Sequence, residues 1–92
     1  MDQWTRLRAH ARALRLEGDT MRQTAFRVRV LAATVRWQSP AADAFRDRVE
    51  TRAAAIASGA EALHVAAQLL DRHADAVQEG HEGLRRVAAD LT

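Results

Sequence analysis

Apolar positions in the first part of the chain recur at spacings of three and four: Trp4, Leu7, Ala11, Leu14, Gly18, Met21, Ala25, Val28, Ala32 and Val35. This is the a/d seam of a heptad helix, sustained over more than four repeats. Gly18 is its one weak member, at a cost of roughly 1 kcal/mol against Ala. The second part holds a strict seven-residue series: Ala42, Val49, Ile56, Leu63, Leu70, Val77, Leu84 and Leu91. Four residues after each come Arg46, Ala53, Ala60, Ala67, Ala74, His81 and Ala88. Large residues therefore alternate with mostly small ones along one stripe. Such a stripe suits an antiparallel partner whose large residues fall over the alanines, and a constant seven-residue period implies left-handed supercoiling.

Between the two patterns lies Trp37-Gln38-Ser39-Pro40-Ala41-Ala42-Asp43-Ala44-Phe45. Ser39 suits an N-cap, Pro40 the first helical position, and Asp43 the positive end of the helix. Pro40 also biases Ser39 away from helical angles. The reading is an all-α, antiparallel two-helix hairpin in a single domain, residues 1–92. Helix 1 is expected over about 3–37, a turn over 38–40 and helix 2 over about 41–79. Gly80 and Gly83 weaken helix over 80–92, while Val77, Leu84 and Leu91 keep the apolar period, so this tail is either frayed or covered by another chain. Helix 1 spans about 50 Å and an unbroken helix 2 about 75 Å at 1.5 Å per residue. Folding back at Ser39 sets Trp4 opposite about residue 73, so that everything past Ala74 overhangs.

Helix 1 carries a second stripe: Leu16, Thr20, Gln23, Phe26, Val30, Ala33 and Trp37. An apolar stripe beyond the first seam predicts a second contact surface. Two hairpins packed face to face would cover it as a four-helix bundle. The expected partner-binding residues are Leu16, Phe26, Val30 and Trp37 on this stripe, with Val77 and Leu84 on the tail of helix 2. Whether the partner is a second copy or another protein stays open at this point.

Composition sharpens the fold and narrows the chemistry. Ala fills 21 positions and Ile one, which favours helix over strand. There is no Cys, which excludes disulfides and thiolate metal sites. All 14 basic residues are Arg, a coding bias expected of a GC-rich genome such as an actinomycete's. Residues 1–38 hold eight Arg against Asp2, Glu17 and Asp19, a balance of +5; residues 39–92 hold six Arg against nine acids, a balance of −3. Opposite signs favour pairing of the two helices. No Ser/His/Asp constellation is visible, and a two-helix hairpin offers no cleft, so no enzyme and no cofactor are expected. His10, His64, His73 and His81 are never four apart, so no helix presents a paired metal site.

The main alternative is an Arg-rich nucleic-acid-binding helix, with Arg12, Arg15, Arg22 and Arg29 as a ridge against phosphates. No reading motif accompanies it. The N-terminus lacks the apolar run of a secretory signal, and no 18-residue stretch is free of charge, so neither classical export nor a membrane span is expected.

With hairpin, length and turn in hand, the chain resembles the WXG family of small helical-hairpin type VII secretion proteins, the early-secreted-antigen-like proteins. Trp37-Gln38-Ser39 stands where the family has Trp-x-Gly, with Pro40 to Phe45 behind it. The resemblance implies a motif turn at Trp37, Ser39 and Pro40 that contributes to recognition for export. It implies pairing with a similar hairpin (a second copy, a paralogue or the hairpin domain of a larger secreted protein) and contact with the secretion machinery. It also implies residence in the cytoplasm before secretion or display at the cell surface. The family's tail signal, Tyr-x-x-x-Asp/Glu, is missing, since the chain has no Tyr. It therefore resembles the tail-less member of a pair, or an escort.

Overall fold

The computed structural model describes residues 2–92. It contains two α-helices, α1 over Gln3–Ala33 and α2 over Pro40–Asp90, packed against each other as a hairpin, with no strand among the described residues. Asp2 caps α1, its Oδ1 accepting from the Thr5 amide at 2.8 Å. Hydrogen bonding from the Thr5 side chain first, and from its amide second, holds the Asp2 carboxyl below its ordinary pKa. Ser39 caps α2, its Oγ accepting from the Ala42 amide at 3.1 Å, and Pro40 opens the first turn ahead of Asp43.

The hairpin is antiparallel and its register follows from cross-helix contacts. The Trp4 and His81 rings pack at 5.1 Å between centroids, tilted by 47°. The Met21 methyl lies against Gly59, and Gly18 lies against Ala60 and His64. Arg29 reaches Glu50 at 3.0 Å. Combined with the heptad pattern, this register sets Leu7 across from Ala74, Ala11 from Leu70, Leu14 from Ala67, Gly18 from Leu63, Met21 from Ala60, Ala25 from Ile56 and Val28 from Ala53. Each of these layers holds one large and one small residue. The buried set reflects this: Ala11, Gly18, Ala25, Ala53, Ala60, Ala67 and Ala74 are enclosed, and their large neighbours cover them while staying half-exposed at the rim. Among the described residues no large side chain is fully buried.

Three sequence expectations change. Helix α1 stops at Ala33 rather than near Trp37. Beyond it, the carbonyls of Val35 and Trp37 accept from the Arg46 guanidinium at 2.9 and 2.8 Å, so this segment finds its partners without helical N–H groups. Helix α2 does not fray at Gly80 but continues to Asp90. Two glycines cost roughly 1 kcal/mol each, but the surrounding residues are mostly good helix formers, and Gln78 donates to Glu82 across Gly80 at 3.1 Å. Finally, Trp4 meets His81, not residue 73. The non-helical segment after α1 runs alongside the first turns of α2 and shifts the pairing along it, so the overhang begins only beyond about His81.

Candidate protein-docking surface

The flank of the seam that follows its d positions in α1 carries an ion-pair ladder. Arg8, Arg15, Arg22 and Arg29 stand seven residues apart, each one step past a d-position residue, and all four reach acids on α2. Arg8 pairs with Asp75 at 2.8 Å, Arg15 with Asp71, Arg22 with Glu61 at 2.8 Å, and Arg29 with Glu50. Arg8 also donates to Gln78 at 2.8 Å. The hydrogen bond to Glu50 holds the Arg29 guanidinium above its ordinary pKa. Three of the four arginines of the expected basic ridge are thus engaged by carboxylates of the same chain; Arg12 is not among the ion-paired residues. Sequence reading grouped these arginines by charge and missed the ladder, although their seven-residue spacing beside the seam was visible.

The outer face of α1, turned away from α2, is apolar where the second stripe was expected. Leu16 is 69% exposed, Phe26 67% and Val30 45%. Leu31, absent from that reading, is equally exposed and joins Phe26, Arg27 and Val30 around a shallow groove of about 260 Å³. Arg12 and Arg27 supply charge beside these residues. On α2 the sequence reading passed over Val65 and Leu69, exposed residues off the heptad series, and named Phe45 only as part of the turn motif.

Trp37 is placed differently from expectation. It lies after α1 ends, so the second stripe stops at Ala33 and Trp37 belongs to the connecting segment. Its side chain remains 55% exposed while its carbonyl is tied to Arg46, so a fixed backbone presents an open indole. Ser39 and Pro40 form the start of α2 beside it. Of the two tail residues, Leu84 is 72% exposed beyond the end of α1. Val77 is half-buried level with Trp4, within the hairpin's own seam.

The histidines do not converge. His64 Nε2 lies 3.2 Å from Asp19 Oδ1 but at an angle that leaves it without a hydrogen bond. Among the described residues no three His, Asp or Glu side chains gather in a metal-holding group. Helix α2 is long and apolar enough, with a best 18-residue mean hydropathy of 1.3, to cross a membrane by length and composition. The stretch over 53–70 that gives this value carries Glu61 in its middle, and its Ala53, Ala60 and Ala67 are the residues enclosed against α1. Val65 and Leu69 of the same stretch stay exposed off the seam.

No family model, no curated protein and no solved structure matches this chain.

Proposed function

We propose that this protein is a non-catalytic pairing module: a helical hairpin that binds a second hairpin and travels through, or escorts cargo to, a type VII secretion system. The observation that carries the pairing is the outer face of α1, where Leu16, Phe26, Val30 and Leu31 stand exposed on a hairpin that encloses no large side chain of its own. The cluster of Phe26, Val30 and Leu31 around one groove, with Leu16 further along the helix, suits a protein contact. Arg12 and Arg27 beside it select a partner face edged with carboxylates.

Support for the secretion role is the resemblance of Trp37 to Phe45 to the WXG turn, together with the exposed Trp37 indole on its tethered backbone. Nucleic-acid binding is disfavoured because Arg15, Arg22 and Arg29 already face carboxylates, and phosphate would have to displace them.

Molar mass by light scattering, on the chain alone and mixed with a candidate hairpin partner, tests the pairing. Phe26→Asp is expected to abolish the paired species with helix content unchanged. Trp37→Ala is expected to pair normally but to reduce export from a secreting cell. Normal pairing of Phe26→Asp would remove the α1 face from the interface, and normal export of Trp37→Ala would remove the indole from recognition.

A further inference from the structure

The overhang of α2 beyond His81 is a length of the hairpin seam that α1 does not reach. Its a and d positions continue without a break: His81, Leu84, Ala88 and Leu91. Leu84 and Leu91 are 72% and 83% exposed, and Val87 beside them is exposed too. We propose that this overhang is covered by the overhang of a second copy of the chain, antiparallel and end to end.

Continuity with the intramolecular seam argues for this occupant. Inside the hairpin the layers from Leu7 to Val28 oppose a large residue with a small one, and a helix extending the seam fits best where its central layers do the same. An antiparallel second overhang does so by symmetry. Leu84 falls across from Ala88 of the second copy, and Ala88 across from its Leu84. His81 and Leu91 make the outer layers, and Val87 meets its own counterpart at the two-fold axis. The two overhangs are also equal in length, so each ends where the other's α1 begins. There the C-terminal end of one α2 approaches the N-terminal end of the other α1, an arrangement favoured by the two helix dipoles.

The contact is small. Three large apolar side chains per copy bury well under the roughly 1,000 Å² typical of a lasting interface, so the association is weak and depends on concentration. Arg85 faces Arg85 of the second copy, a repulsion that salt screens. The surface is separate from the outer face of α1, and the two contacts fail independently.

Small-angle X-ray scattering over a concentration series at elevated salt reads the result directly, because the two modes of pairing differ in shape. One hairpin measures 80 Å along its axis. End-to-end association overlapping by about ten residues extends this to about 145 Å, whereas side-by-side pairing leaves it near the length of one hairpin. The expected result is a longest dimension that rises with concentration toward the longer value. Leu84→Glu returns it to the single-hairpin length, with helix content preserved because Leu84 lies outside the hairpin's own seam. Leu84→Ala weakens the elongated species at least tenfold, and the exchange Leu84→Ala with Ala88→Leu restores it by inverting each layer. A length that stays near that of one hairpin at every concentration overturns the proposal, even if the mass doubles. So does elongation that survives Leu84→Glu, or an exchange variant no better than Leu84→Ala.

Discussion

Gly18 and Gly80 are both helical glycines, and the physics of adding a methyl group to them is opposite. At Gly80 nothing lies within 4 Å of the added carbon, so Gly80→Ala gains helix propensity alone. It is expected to stabilise by about 0.5–1 kcal/mol. At Gly18 the new carbon would sit 2.8 Å from His64 Nε2 and 3.2 Å from the Ala60 carbonyl oxygen. The imidazole can swing aside, but the carbonyl is backbone of the facing helix and yields only if the helices part. Gly18→Ala is therefore expected to destabilise by about 1 kcal/mol in spite of its propensity gain. Thermal melts followed by circular dichroism compare the two directly. The alternation that makes Gly18 intolerant was half legible in the sequence. The Ala53–Ala74 series announced that something large lies opposite. That Ala11, Gly18 and Ala25 answer from α1 with the reverse order needed the register, which depends on the connection and not on either helix alone.

That connection is where sequence reasoning went astray at the level of elements. Ser39 and Pro40 were readable because capping is local: the Ser39 side chain serves an amide three residues away. Ser39→Ala is accordingly expected to cost about 1 kcal/mol, visible as a lower urea midpoint with unchanged slope. The end of α1 was not readable, because nothing local stops it. Thr34 and Val35 are modest helix formers, and what decides the matter is Arg46, eleven residues beyond Val35, whose guanidinium collects two carbonyls at once. A long-range acceptor–donor match leaves no trace in hydrophobic period. The consequence runs far down the molecule: with the segment after α1 lying along α2, Trp4 reaches His81, and the overhang shrinks from everything past Ala74 to the residues beyond about His81. The same displacement moves Val77 from the partner surface into the hairpin and takes Trp37 off the α1 stripe.

As a whole the molecule is a rod, 80 × 16 × 12 Å, and a rod two helices thick has little interior. Its accessible surface is 6926 Å², against about 5,300 Å² for a typical folded monomer of this mass. The difference, about 1,600 Å², is comparable to what a standard protein–protein interface removes from both partners together. Alanine and glycine in the core bring the two helix backbones close, but each contributes little apolar area. The ion-pair ladder does not make up the difference, since its members are partly exposed and such pairs add little. Under the proposed pairing, a second molecule adds to the stability of the hairpin. Anything that binds the folded hairpin and not the unfolded chain raises the apparent Tm with its concentration. The chain is expected to melt at a low, concentration-dependent temperature by itself and at a higher one when its hairpin partner is added in excess. Phe26→Asp should lose the response to partner while melting, at high dilution, close to the parent chain, because Phe26 contributes nothing to the hairpin's own seam. Differential scanning calorimetry across a hundredfold range of concentration measures both effects. A single Tm indifferent to concentration and to partner would mean that the hairpin is sufficient to itself and that its apolar outer face has some use other than pairing.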